Sequence, residues 1–343
     1  MQDKYTHYHL GGGRPAEGNL DQIICGDAFD LIKQLDDASV ALTLTSPPYF
    51  RQRRYTKLCE EVGQEPEMDE YIKKLLVIFD ECRRVTKPNG SIVWNLGDKY
   101  DNACMMLLPW RFALEASKKA TLINTVMWVK TNPTPRQYKK RLVSAWEPFF
   151  HFVNGKDYCY ELSDDVAPST PNADSRIGEG YFKQIEASGL TSQEKENAKA
   201  ALRKVQAEVR SGKLPSLRMK IRGVHPLPFG GQEGGRNTQI TRDGYSIIRH
   251  PGGMLHPDYI EAAVENTHKI VGGVRGAKHP AIFPLTLAEY FIHLTTRPGD
   301  VVFDPFIGSG TTGVAAKKLN RHHIGFELCQ EFADQARRRI NET

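Results

Sequence analysis

The sequence predicts an α/β protein built on a doubly wound, mainly parallel sheet. Short apolar runs alternate with helix-period segments towards both ends of the chain. A glycine-rich turn joins a strand to a helix at 301–313. Between the two ends, residues from about 161 to 276 break the alternation with a stretch rich in Gly, Pro, Ser and charge.

Taken in order, residues 22–27 read as a short buried strand ending in a turn, 28–35 as a short helix, and 40–45 (VALTLT) as a second strand. Pro47-Pro48 must end that strand, since neither proline can donate to a ladder. Over 68–85 the apolar residues Tyr71, Leu75, Ile78, Phe79, Cys82 and Val85 have helical spacing. Lys87-Pro88-Asn89-Gly90 reads as a turn before a strand at 91–96. A helix around 110–118 and strands at 121–129 and 148–153 follow. The stretch 161–276 holds one convincing helix, about 192–211, among turns such as Phe229-Gly230-Gly231 and Gly234-Gly235. Order returns with a helix near 287–295, a strand at 301–303, a helix near 311–319, a strand at 322–326 and a terminal helix from Glu331.

A chain of 343 residues has room for one large α/β domain with an insertion, or for two modest domains. No apolar run approaches the roughly 18 residues of a membrane span, and Met1-Gln2-Asp3-Lys4-Tyr5 lacks a secretory layout. The expectation is a soluble, intracellular protein with no membrane partner. Six cysteines are scattered without a Cys-x-x-Cys pair, which argues against a disulfide framework and a zinc site. Buried free thiols are expected, and no metal.

The net charge of +5 is unevenly placed. Residues 130–141 carry Lys130, Arg136, Lys139, Lys140 and Arg141 with no acid, and 51–57 carry Arg51, Arg53, Arg54 and Lys57 around Tyr55. Residues 203–222 hold seven basic residues against the single Glu208. Each stripe alone reads equally well as a solvated face; three together suit a phosphate backbone.

Three motifs carry chemistry. In 301–313 (VVFDPFIGSGTTG), Gly308 and Gly310 let the backbone approach a ligand and the helix start offers free N–H groups. No Lys follows, so this is not a Walker A loop. Asp304, at the carboxyl end of its strand, could take an ammonium group. Some twenty residues later, Glu327 ends a second strand, where a carboxylate can hold ribose hydroxyls. In Thr45-Ser46-Pro47-Pro48-Tyr49, the prolines hold Ser46 and Tyr49 rigidly above the sheet. A flat ring beside small acceptors suits a flipped-out base. Ser46 does not read as a nucleophile, because no His or second acid follows closely.

These residues resemble the amino-methyltransferases of DNA. Ser46-Pro47-Pro48-Tyr49 is similar to that family's catalytic (Asp/Asn/Ser)-Pro-Pro-(Tyr/Phe) motif, and Asp304-Pro305-Phe306-Ile307-Gly308-Ser309-Gly310-Thr311 to its S-adenosylmethionine (SAM) motif. Catalytic motif first and SAM motif last resembles the beta-class order. Flanking stretches agree: 87–98, Trp128-Val129-Lys130-Thr131-Asn132-Pro133 and Lys278-His279-Pro280-Ala281. The resemblance implies a circularly permuted, Rossmann-like SAM-methyltransferase fold from residues 20–159 and 277–343. Residues 160–276 would then be an inserted target-recognition region and 1–19 an N-terminal extension.

It also implies SAM as cofactor and double-stranded DNA as partner, in a cytoplasmic, nucleoid-associated protein of bacterial or phage origin; a homodimer stays open. Asp304, Phe306, Gly308, Ser309, Gly310 and Thr311 would lie by the methionine end, Glu327 by the ribose and Asp27 by the adenine. Ser46, Pro47, Pro48 and Tyr49 would present the target amine. Ser at the first motif position is commoner among cytosine-N4 enzymes of the family. The 94–98 stretch leans the other way, slightly favouring adenine N6. Three rivals remain: an RNA base methyltransferase, a protein-glutamine amide methyltransferase, and a DNA-binding protein with an inactive pocket.

Overall fold

The computed structural model describes residues 20–52, 61–133, 140–161, 178–211, 216–226, 236–250, 257–264 and 283–343. They fall into two units, one of residues 1–161 with 257–343 and one of residues 162–256.

The first unit holds one large sheet. Its strands in chain order are β1 (Gln22–Cys25), β2 (Val40–Thr45), β3 (Thr86–Asn95), β6 (Thr121–Lys130), β7 (Trp146–Val153), β10 (Tyr259–Ala262), β11 (Val301–Asp304) and β12 (His322–Glu327). A small hairpin pairs β4 (Tyr100–Asp101) with β5 (Cys104–Met105). The spatial order is β1-β12-β11-β2-β3-β7-β6-β10, parallel throughout except for β7, which runs against both neighbours. The first strand among the described residues therefore pairs with the last one, Cys25 opposite Glu327. The mainly parallel, permuted α/β sheet that the sequence predicts is present.

Period-2 alternation sends neighbouring side chains into opposite layers. Leu42, Leu44, Val93 and Val302 pack with Leu287 and Phe291 of a helix at Leu285–Thr295, and with Ala315 of a helix at Thr311–Lys318. Ile92, Trp94, Phe303 and Phe326 face the other layer, where the Met68–Val85 helix inserts Tyr71, Leu75, Ile78, Phe79, Cys82 and Val85. Its apolar stripe at i, i+3, i+4 spacing is why this helix begins and ends where the sequence placed it. Trp94 stacks on Phe112, ring centroids 5.1 Å apart, and meets Phe79 edge-on at 5.6 Å.

Several expectations are corrected. Lys87-Pro88-Asn89-Gly90 is not a turn ahead of a strand but lies inside β3. Val40 opposes Thr86 and Leu42 opposes Ser91, so two steps along β2 match five along β3. The extra residues bulge out, as Pro88 and Gly90 permit. The helix expected over 28–35 divides into Ala28–Leu31 and a 3₁₀ turn at Ile32–Gln34. Among the described cysteines only Cys82 is buried, and Cys104, on the β4–β5 hairpin, is exposed. β10 falls inside the stretch expected as an insertion, yet it pairs in parallel with β6 as an edge of the sheet.

The second unit is more regular than its composition suggests. It contains helices at Glu179–Ala187, Ser192–Arg210 and Arg236–Asp243, and a hairpin of β8 (Ser216–Ile221) with β9 (Tyr245–His250). Leu217, Met219 and Ile221 alternate with Arg218 and Lys220, a strand signal that the basic residues conceal. Ile185, Leu190, Ala198, Leu202, Met219 and Ile221 form its core. Thr191 and Glu194 start the long helix with a reciprocal capping box. The turns at 229–231 and 234–235 lie outside the described residues.

Candidate active site at the carboxyl ends of the strands

The carboxyl ends of β1, β12, β11, β2, β3 and β6 lie along one edge of the sheet, together with the start of antiparallel β7. Open α/β sheets bind their ligands at this edge.

The glycine turn leaves β11 with both key glycines in the left-handed region, Gly308 at φ +51° and Gly310 at +86°. A Cβ on Gly310 would lie 3.0 Å from the Ala336 Cβ, so glycine is needed there twice over. Gly310 caps the Thr311–Lys318 helix without a side-chain acceptor for its first N–H groups. Ile307 N donates to the Phe326 carbonyl at 2.9 Å, and Gly308 N to Glu327 Oε2 at 3.1 Å. Glu327 Oε1 accepts from Cys329 N at 2.9 Å. The Glu327 carbonyl receives Gly26 N at 2.9 Å, which brings the start of Asp27's helix beside it. Asp27 caps that helix through Phe29 N at 2.8 Å.

Asp304 is 2% exposed. Its Oδ1 accepts from Thr45 Oγ1 (2.7 Å) and Phe306 N (3.0 Å), and its Oδ2 from Thr312 Oγ1 (2.7 Å). Three internal donors make it the organiser of the turn, and one Oδ2 lone pair takes none of them. Burial pushes its carboxyl up to about 6, against the pull of those hydrogen bonds. Burial likewise raises Glu327 to about 7. Ser309 and Thr311 turn their hydroxyls to Arg339 of the C-terminal helix, which donates to Ser309 O and Oγ (3.2 Å each) and to Thr311 Oγ1 (2.9 Å). These two hydroxyls face a protein partner, and Phe306 packs partly buried against the core.

The Pro-Pro turn leaves β2 next door. Ser46 Oγ donates to Asn95 Oδ1 at 3.0 Å, and Tyr49 Oη lies 2.7 Å from the same oxygen and 2.9 Å from Glu147 Oε2. Asn95 is oriented by its own Nδ2, which donates to the Pro148 carbonyl at 3.0 Å. Tyr71 Oη holds the Pro48 carbonyl at 3.0 Å. The Tyr49 ring lies on Gly97: a Cβ there would meet Tyr49 Cε2 at 2.3 Å. Sequence reasoning does not reach Asn95, Gly97 or Glu147 as site residues. Their signals are a lone amide closing the run Ile92-Val93-Trp94 and a lone acid ahead of Pro148-Phe149-Phe150.

The basic stripes separate. Lys130 ends β6 and pairs with Glu147 Oε1, its ammonium 4.9 Å from the Trp128 ring centroid. With a side chain only 18% exposed, it belongs to the Tyr49 cluster rather than to an open phosphate-binding face. Arg51, at φ +45°, donates through Nε to the Glu65 carbonyl at 3.1 Å and through Nη2 to that of Pro66. Arg141 stacks over Tyr100 at 3.7 Å, and Lys140 is exposed. Arg53, Arg54, Arg136 and Lys139 lie outside the described residues. No helix among the described residues is long and apolar enough to cross a membrane.

A glycine turn between acid-ended parallel strands, beside a rigid polar Pro-Pro turn, defines a doubly wound α/β protein of the methyltransferase class. The family model described as DNA methylase (N6/N4) matches residues 40–338, most of the chain. The chain belongs to that family. It is similar to the type II methyltransferase M.SfiI of Streptomyces fimbriatus, 26% identical over 383 residues, covering 90% of this chain and 88% of the relative. Among solved structures, the PvuII DNA methyltransferase (cytosine-N4-specific) has a TM-score of 0.54 at 18% identity, covering 92% of this chain and 85% of that one. A DNA modification methylase of Thermus thermophilus, so described as a putative one and complexed with S-adenosyl-L-methionine, has a TM-score of 0.51 at 18% identity, covering 94% and 93%. These likenesses carry the fold.

Proposed function

We propose that this protein binds SAM and transfers its methyl group to the exocyclic amino nitrogen of a base flipped out of double-stranded DNA. One observation carries the reading: Thr45 Oγ1 donates to Asp304 Oδ1 at 2.7 Å, tying the Ser46–Tyr49 turn to the glycine turn. A cofactor held by one turn is then within reach of a base presented by the other.

The donor set fits SAM. The uncapped N-terminus of the Thr311–Lys318 helix suits the methionine carboxylate. Glu327 retains acceptor capacity for ribose hydroxyls, and Asp27 stands by the adenine end. Asp304 shapes the turn and offers its last lone pair to the ammonium. When bound, SAM supplies an electrophilic sulfonium methyl. Ser46 Oγ and the Pro47 carbonyl accept hydrogen bonds from the base amine, localising its lone pair as positive charge develops. Tyr49 stacks on the base, and holding the nitrogen about 3–3.5 Å from the methyl supplies much of the rate.

Cytosine N4 is the proposed target. Ser46 at the first motif position supports it. The adenine leaning drawn from 94–98 becomes the alternative outcome of the test. Residues 162–256 are proposed as the target-recognition unit. Incubating the protein with SAM and duplex DNA, then identifying the modified nucleoside by mass spectrometry, tests the reading. N4-methylcytosine is expected. N6-methyladenine would overturn the base assignment, and methylation of RNA or protein alone would overturn the whole.

A further inference from the structure

Beneath the Pro-Pro turn, three close oxygen–oxygen contacts share two hydroxyl hydrogens. Ser46 Oγ to Asn95 Oδ1 is 3.0 Å, Tyr49 Oη to Asn95 Oδ1 is 2.7 Å, and Tyr49 Oη to Glu147 Oε2 is 2.9 Å. Ser46 Oγ also lies 3.4 Å from Tyr49 Oη. Asn95 can only accept at this point, because its Nδ2 is turned to the Pro148 carbonyl. An ionised Glu147 can only accept as well, and Ser46 and Tyr49 bring one hydrogen each. One more proton completes the set: Glu147 would donate to Tyr49 Oη, while Tyr49 and Ser46 both donate to Asn95 Oδ1. Lys130 occupies the other Glu147 oxygen, which leaves Oε2 to Tyr49.

Transfer to an amine releases one proton, and the inference rests on that proposed function. The nitrogen lone pair forms the new N–C bond, the C–S bonding pair returns to sulfur, and the nitrogen sheds one hydrogen as a proton. We propose that Glu147 is the terminal acceptor of this proton, reached through Ser46 and Tyr49. Once the Ser46 hydroxyl turns from Asn95 to Tyr49 Oη and the 3.4 Å gap between them closes, the amine proton passes to Ser46 Oγ as the Ser46 hydrogen passes to Tyr49 Oη and the Tyr49 hydrogen to Glu147 Oε2. Both hydroxyls end with the one hydrogen they began with, and Glu147 gains one. Protonation leaves Lys130 without its countercharge, which favours return of the proton to water. Glu147 touches no substrate; it positions Tyr49 and drains the relay.

Single-turnover methylation of duplex DNA at saturating SAM, run in mixtures of H2O and D2O, tests the relay. The wild type should show a normal solvent isotope effect that bows with deuterium fraction, because several protons move together. Glu147→Gln keeps shape but removes the acceptor. It should lose on the order of 100-fold in rate, the low end for a positioned proton acceptor. Its SAM affinity should stay unchanged and its isotope dependence should straighten, while Glu147→Asp should recover part of the rate and the bow. Tyr49→Phe keeps the ring, tests the relay even where Glu147→Gln fails to fold, and should add nothing to it in the double variant. A Glu147→Gln enzyme that slows but keeps the bowed dependence would show Glu147 to be only a prop for Tyr49. Wild-type speed in Glu147→Gln would remove it from the reaction. A folded wild type that methylates no DNA base would overturn the functional reading, and the relay with it.

Discussion

Thr45 Oγ1 donates to Asp304 Oδ1 at 2.7 Å, and both residues are buried. The two strands are hydrogen-bonded neighbours, with Thr43 opposite Phe303. The bond therefore ties two turns that are far apart in the chain and adjacent in the sheet. Thr45→Val keeps the shape and orphans one Asp304 lone pair, which should cost about 1–3 kcal/mol. Urea denaturation measures that loss. Methyl transfer should fall more than SAM affinity, because the variant loosens the catalytic turn while Phe306 N and Thr312 still hold Asp304. Equal losses of both would mean that the bond serves stability alone.

Gly97→Ala tests the placement of Tyr49. Its new Cβ would lie 2.3 Å from Tyr49 Cε2 and 2.7 Å from Cδ2, so the ring must move. A shift of about 1 Å at a positioning residue can cost on the order of 100-fold in rate. The expected result is that loss in single-turnover transfer with SAM binding preserved. An unaffected rate would show that Tyr49 does not set the base geometry.

How far the sequence alone reached follows from the kind of signal each element carried. Met68–Val85 was legible to the residue because its apolar stripe is long and regular. The glycine turn and the Pro-Pro turn were legible because glycine and proline restrict the backbone itself. What stayed hidden needs the sheet order. Glu147 reaches Tyr49 only because β7 runs antiparallel beside β3, a pairing no local pattern encodes. Lys130 looked like part of a basic stripe, since its partner is seventeen positions away. Arg339, which orders Ser309 and Thr311, lies thirty residues beyond the turn it serves. The hairpin of β8 and β9 was masked by basic residues on its outward positions.

The pH dependence of the ligand-free protein should reflect Glu327 and Asp304. Burial raises the Glu327 carboxyl from its ordinary 4.5 to about 7, and the nearby Asp304 charge adds to the rise. A raised acid means that the folded state binds more protons than the unfolded one between those values. Their contribution to stability is therefore present below the ordinary carboxylate range and lost as pH rises, through about 6 for Asp304 and about 7 for Glu327. Thermal denaturation should show this decline, and Glu327→Gln should remove its upper part. SAM binding should strengthen over the same rise, because ribose hydroxyls donate best to a carboxylate. A pH-independent SAM affinity would take Glu327 out of the ribose contact.

The proposal that residues 162–256 recognise DNA predicts a salt effect that belongs to that unit. Its long helix exposes Arg203 and Lys204, and its hairpin exposes Arg218. None of the three takes part in the unit's apolar core, although Arg203 stands 5.6 Å over the Phe182 ring. Each phosphate contact adds about one to the slope of log affinity against log salt. Replacing all three by Ala should flatten that slope by about three if each meets a phosphate, with SAM affinity and fold intact. Titrating duplex DNA at several salt concentrations reads the change directly. The wild-type slope must itself be steep, even though Lys130 and Arg51, two members of the other stripes, are engaged within the protein. An unchanged slope in the triple variant would move the phosphate contacts to the first unit, where Lys140 is exposed.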